Sequence, residues 1–199
     1  MTPRRTDTKS RILDVAEQLL QDRGFNGFSY KDVSAELGIK NAAVHYHYPT
    51  KTDLGVAMIE RMRRRFQRWA ASVDAGPFEF DRRMGAFLGI YESYLLDQGK
   101  VCPAGILEVE LNVIPEEMRT ATVAFVNEVH GWLARLLQQG RDAGQCHFEG
   151  EADDQAALFG CALQGALQMA RVCGSERYRT IVRRLLAQLA VPPTELSTR

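Results

Sequence analysis

Between its glycine and proline breaks, this chain returns apolar residues three or four positions apart in every segment, and nowhere does it alternate them. Spacing of that kind lines one face of an α-helix, whereas a half-buried strand needs a period of two. The chain is therefore expected to be all-α. Ile12, Val15, Ala16, Leu19 and Leu20 mark a first helix stopped by Gly24. A short helix with Val33, Ala35 and Leu37 ends at Gly38, and a second short one runs from about Asn41 to Tyr48, where Pro49 breaks it. Leu54, Met58, Met62, Phe66 and Trp69 stripe a long helix ended by Gly76-Pro77. Met84 to Leu95 mark a further helix closed by Gly99. Pro103 suits the first position of a short one, and Pro115-Glu116-Glu117 the start of another that ends near Gly140–Gly144. Helices from about Asp153 to Cys173 and from Ser175 to Leu189 follow, and Val191-Pro-Pro onward reads as a disordered tail.

The pair of short helices carries the functional signal. Ser29 and Asp32, then Thr50 and Asp53, stand three apart as capping boxes with Asp in the place of Glu. Leu37-Gly38-Ile39-Lys40 is a tight turn in which Gly38 takes the left-handed conformation, the pattern of a helix-turn-helix. At 100° per residue, Asn41, Ala42, His45 and Tyr46 share one face of the second helix, while Val44, His47 and Tyr48 turn towards a core. An amide, an imidazole, a phenol and a methyl group suit base edges in a major groove. Lys31, Lys40 and Lys51 flank that face where phosphates would lie, and Tyr30 and Tyr48 are expected to add hydroxyls to the backbone contacts. His45 and His47 face about 200° apart on the helix and do not form a metal site.

Charge agrees with an anionic partner at one end. The net charge is zero, yet residues 1–70 carry 13 Lys+Arg against 8 Asp+Glu, a net of +5 balanced by −5 over the remainder.

The stretch from Gly24 to Leu54, GFNGFSYKDVSAELGIKNAAVHYHYPTKTDL, closely resembles the DNA-binding domain of the TetR (tetracycline-repressor-type) family. The resemblance is carried by Gly24-Phe25, Ser29, Asp32-Val33, Leu37-Gly38-Ile39, His47-Tyr48, Lys51 and Leu54. It implies a three-helix DNA-binding domain over residues 1–50 and an effector-binding and dimerisation domain of bundled helices over residues 51–190, before the tail at 191–199. It also implies that Lys31, Asn41, Ala42, His45, His47 and Lys51 touch double-stranded operator DNA. His45 stands where the family usually has Tyr, with Tyr46 following. The expected function is a transcriptional repressor released from its operator by a small-molecule effector, with an activator of the same family as the alternative.

Two recognition helices on one duplex require a homodimer. On the helix from Asp153, Ala156, Gly160, Leu163, Leu167 and Ala170 form one row, and Ala157, Cys161, Gln164 and Gln168 a second. The last helix adds Tyr178, Ile181, Val182, Leu185, Leu186 and Leu189, and the pair with its mate would form a four-helix interface. An effector pocket is expected to draw aromatic walls from Trp69, Phe87, Tyr91, Tyr94, Phe125 and Trp132, and polar anchors from Asn112, His130 and Gln164. Cys102, before Pro103, is expected to cap a helix with its sulfur at the positive end, which makes a redox or electrophile sensor the second alternative. Cys161 and Cys173 read as small buried residues, and the four cysteines show no disulfide framework or metal spacing.

No Ser-His-Asp constellation, phosphate loop or dinucleotide motif is present, so neither an enzyme nor a cofactor is expected. The polar start and the absence of an uninterrupted apolar run of about 20 residues point to a cytoplasmic protein with no membrane partner.

Overall fold

The computed structural model describes residues 8–96, 100 and 102–190, so the expected tail at 191–199 and the stop at Gly99 lie outside the described residues. Within them all regular structure is helical: α1 (Thr8–Arg23), α2 (Tyr30–Leu37), α3 (Asn41–His47), α4 (Lys51–Asp74), α5 (Phe80–Leu96), α6 (Pro103–Val109), α7 (Glu116–Asp142), α8 (Ala152–Cys173) and α9 (Ser175–Leu189).

The chain packs as two units whose boundary departs from a cut at residue 50. One comprises Met1–Arg68 with Lys100–Asn127, the other Trp69–Gly99 with Glu128–Arg199. The reason is physical: α4 and α7 are single unbroken helices, and each supplies residues to both units. The first unit therefore also holds α6.

In the first unit, Ile12, Ala16 and Leu20 of α1, Val33 of α2, Val44 of α3, and Leu54, Met58 and Ile59 of α4 are fully buried. Apolar area removed from water at ~25 cal/mol per Å2 is what holds so short a helix as α3, which could not persist alone. An ionic brace joins α1 to α4. Glu17, 8% exposed, receives Arg61 at 2.7 Å and Arg65 at 2.6 Å, while Arg61 also reaches Asp14 at 2.7 Å.

In the second unit, Trp69, Phe87, Tyr91 and Trp132 pack ring on ring, with Trp69 and Trp132 4.9 Å apart and Phe87 and Trp132 5.5 Å apart. The Trp132 indole N–H donates to Asp74 at 3.1 Å, and Asp74 also pairs with the buried Arg83 at 3.1 Å. Phe159, Leu163 and Leu167 of α8 lie at the centre.

Candidate nucleic-acid interface

The helix-turn-helix is built by three local devices. Ser29 starts α2: its backbone N–H and its hydroxyl both donate to Asp32 Oδ2 at 2.7 Å. These bonds hold the Asp32 carboxyl below its usual pKa, with the Ser29 hydroxyl the largest cause. Gly38 ends α2 at φ 64°, and the next amide, Ile39, closes back on Ser34 O at 3.0 Å. Thr50 and Asp53 repeat the box at the start of α4, at 2.9 Å from the Thr50 N–H and 2.7 Å from its hydroxyl.

These devices hold α3 with one face in and one face out. Val44 is 0% exposed and Tyr48 3%, while Tyr46 is 84% exposed. Asn41, Ala42 and His45 lie exposed beside Tyr46, as the helical wheel predicts, and His47 is half-buried. The His45 ring stands edge-on to Tyr30 with centroids 4.6 Å apart, and its Nδ1 lies 3.3 Å from Pro49 O. Lys31 and Lys40 are exposed on either side.

Three residues whose polar groups are expected at the DNA turn those groups inward, Tyr48 on the side where the helical wheel puts it. The Tyr30 hydroxyl is shared between the carbonyls of Tyr48 and Thr50, and burial pushes its pKa up to about 12. Tyr48 is buried and its hydroxyl points to Lys9 O at 3.4 Å. The Lys51 ammonium donates to the carbonyls of Phe25 and Phe28 and sits 4.4 and 4.6 Å from their ring centroids, and burial draws its pKa down. Each of these polar groups donates to a backbone carbonyl of the chain, and a buried donor without an acceptor is costly. The corrections leave Lys31 and Lys40 as the lysines beside the exposed face.

Sequence reasoning missed the partner of that turn. The Glu110 carboxylate, at the C-cap of α6, accepts from the Phe25 N–H at 2.6 Å and the Asn26 N–H at 3.4 Å. Its separation of 85 residues leaves no local pattern that could have found it; Gly24, at φ 76°, was the visible half of the contact.

The residues expected around an effector divide between the units. Trp69, Phe87, Tyr91 and Trp132 meet in the second unit, where Tyr94 and Gln164 are half-buried. His130 is half-buried there too, its Nε2 2.8 Å from Asp153 Oδ1. Phe125 belongs to the first unit and packs on Phe66 with centroids 6.4 Å apart. Asn112, in the turn after α6, is exposed. Cys102 is the half-buried N-cap of α6 with Pro103 at the first helical position, as expected. A cavity of about 260 Å3 in the second unit is lined by Asp74, Arg83, Trp132, Arg135, Leu136 and Gln139, of which the sequence reading named Trp132.

Along α8 the first row closes the chain's own core, with Ala156, Leu163, Leu167 and Ala170 buried and Gly160 half-buried. In the second row Ala157, Cys161 and Gln168 are exposed. Ile181, Val182, Leu185 and Leu186 of α9 are half-buried, whereas Tyr178 and Leu189 are 3% and 2% exposed and belong to the chain's own interior. Cys161 and Cys173 are exposed, contrary to expectation, because the helix rows that carry them face away from the core.

A chain of helices with an outward-facing, capped helix-turn-helix near its start and a larger helical part behind it is a DNA-binding transcriptional regulator. Two family models place it: "Bacterial regulatory proteins, tetR family" matches residues 12–58, and "Tetracyclin repressor-like, C-terminal domain" matches residues 81–186. The chain belongs to the TetR family. It is 26% identical over 174 residues to the HTH-type transcriptional repressor NemR of Escherichia coli (strain K12), covering 85% of this chain and 86% of that one. Among solved structures it matches a TetR-family transcriptional regulator from Agrobacterium tumefaciens at 28% identity and TM-score 0.86, over 92% of this chain and 97% of that one. It also matches the reduced form of E. coli NemR at 25% identity and TM-score 0.79, over 94% of this chain and all of the other.

Proposed function

We propose that this regulator binds operator DNA as a homodimer with α3 in the major groove, and that a small molecule held in its C-terminal part releases it. One observation carries the DNA half: α3 offers Asn41, Ala42, His45 and Tyr46 to solvent on a helix whose other side is pinned by Val44 and Tyr48. Such a helix gives up little conformational freedom on docking. Lys31 and Lys40 supply phosphate contacts, which position the protein without reading sequence.

The dimer rests on the uncovered side of α8. Its 22 residues have a window of mean hydropathy 1.2, apolar enough to span a membrane by length and composition, yet only 33% of that window is buried. Leu158 is 67% exposed and Val172 85%. A second copy of the chain covering this side and the half-buried stripe of α9 accounts for it.

The test is selection of binding duplexes from a randomised pool, followed by binding measured over a salt series. Asn41→Ala with His45→Ala should abolish preference for the selected duplex while leaving the dimer intact and nonspecific binding present. Lys31→Ala should weaken binding to every sequence and flatten the salt slope by ~1. Unchanged preference in the Asn41/His45 variant would remove α3 as the reading element.

A second reading places control at the Cys102 thiol, favoured by its position as the N-cap of α6. A thiol-modifying electrophile should then release the wild-type protein from the selected duplex but not Cys102→Ser. Equal release of both ends that reading.

A further inference from the structure

We propose that Glu110 is a positioning residue for DNA binding: it fixes the α1–α2 turn from α6, so that the placement of α6 sets the placement of the recognition helix. The inference rests on the DNA-binding reading above.

The turn from Gly24 to Phe28 makes few bonds of its own. The Gly24 N–H closes on Leu20 O at 2.9 Å, and the Gly27 N–H reaches Gly24 O at 3.3 Å. Four of its other backbone groups are held by two charges of opposite sign from elsewhere in the chain. The Phe25 and Asn26 amides donate to Glu110, and the Phe25 and Phe28 carbonyls accept from Lys51. Charge-assisted bonds to backbone groups are about twice as strong as neutral ones.

The glycines show that the backbone is shaped around this clasp. A Cβ on Gly24 would lie 2.7 Å from Glu110 Oε1 and 3.1 Å from its carboxyl carbon. A Cβ on Gly27 would meet Arg23 O at 2.1 Å, which fixes the turn's tight closure. One helical turn from Lys51, a Cβ on Gly55 would strike Met118 at 2.3 Å and the Phe25 ring at 2.9 Å. Gly24, Phe25, Lys51, Gly55, Glu110 and Met118 thus join four elements of the first unit at one point.

Glu110 stands where that point can be moved. It caps α6, and its own carbonyl accepts from Val113 at 2.8 Å and Ile114 at 3.1 Å in the turn that leads into α7. A shift of α6 or of this turn carries the carboxylate with it, and the carboxylate grips the backbone from which α2 and α3 depart. A local cap would have satisfied the same two amides without a contact across 84 and 85 residues. Long-range charge costs desolvation that only a fixed geometry offsets. Two recognition helices must match half-sites about 34–36 Å apart, so a small change in their carriage is enough to lose the operator.

The experiment compares wild type, Glu110→Gln, Glu110→Ala, Gly24→Ala and the Gly24→Ala/Glu110→Ala double variant, each checked by circular dichroism for a folded state. Binding is followed by fluorescence anisotropy on the duplex the wild type selects and on an unrelated duplex. Glu110→Ala should weaken binding to the selected duplex at least tenfold and leave the unrelated duplex within threefold. Glu110→Gln keeps the shape and an acceptor but loses the charge; it should fall between, with the Phe25 amide proton moving upfield in the NMR spectrum. The double variant should lose less than the two single losses combined, because the Gly24 methyl group then meets no carboxylate. If Glu110→Ala does not fold, Glu110→Gln decides, with a loss of threefold or more expected. A selected-duplex affinity within threefold of wild type, or an equal loss on both duplexes, overturns the proposal. Failure of the wild type itself to select any duplex would instead overturn the DNA-binding reading.

Discussion

Cys146 is 3% exposed, its thiol donates to Leu137 O at 3.6 Å, and burial pushes its pKa from 9.0 up to about 11. The folded state therefore holds the thiol proton more tightly than the unfolded chain. That contribution to stability is complete below pH 9 and is lost as pH rises through 11. A disulfide-exchange reagent at neutral pH should modify exposed Cys173 quickly and Cys146 only after denaturation; quick labelling of Cys146 in the native protein would contradict its placement. Tyr30 makes a similar case. Tyr30→Phe removes the hydroxyl donor from the Tyr48 carbonyl and a second donor from the Thr50 carbonyl, which keeps the Leu54 N–H, and should cost ~1–3 kcal/mol in denaturant melts. It should also remove an alkaline loss of stability between pH 10 and about 12, where only the folded tyrosine keeps its proton. At this scale the sequence shows which residues can carry an interaction but not which partner claims it. Asn41 and His45 were placed outward by angle alone. Chemistry alone assigns the polar groups of Tyr30, Tyr48 and Lys51 to the DNA, although the helical wheel turns Tyr48 towards the core, and the carbonyls that hold them come from residues whose nearness only the folded turn creates.

Helix ends were the most legible part of the chain because their causes are local. Ser29 with Asp32 and Thr50 with Asp53 are read three residues apart and form as read. Asp53→Ala removes the acceptor of two Thr50 bonds and should lower stability by ~1 kcal/mol, seen as a shift in the denaturant midpoint at unchanged slope. Gly38 offers a cleaner measurement. A Cβ there would meet nothing within 4 Å, so Gly38→Ala tests the left-handed backbone alone. It should cost ~1–2 kcal/mol, and a smaller loss would mean that α2 ends in another conformation. Element boundaries within the two units were less legible. A 24-residue α4 and a 27-residue α7 each pass from one unit to the other partway along their length, and periodicity reports only that a face is apolar, not where along an unbroken helix one body gives way to the next.

At the scale of the whole molecule the same ambiguity explains the cysteines of α8. Both of its rows are legible, but residue type alone does not say whether a row is covered by the chain's own core or by a second chain. Ala156, Leu163 and Leu167 prove to be core, whereas Ala157, Cys161 and Gln168 remain uncovered. If the uncovered row meets its mate, Leu158→Arg with Met169→Arg brings guanidinium groups into an apolar contact at positions 67% and 44% exposed, where the monomer itself is undisturbed. Light scattering should then give a mass near the 22.4 kDa of one chain instead of twice that, with helix content retained. Cys161 supplies an independent reading from within the same row: its thiol should be protected in the dimer and label rapidly in the arginine variant. The monomer should also lose the selected duplex while keeping weak nonspecific binding, because one recognition helix reaches only half a site. A variant that remains twice the chain mass would move the interface elsewhere, and the apolar side of α8 would then need a different partner.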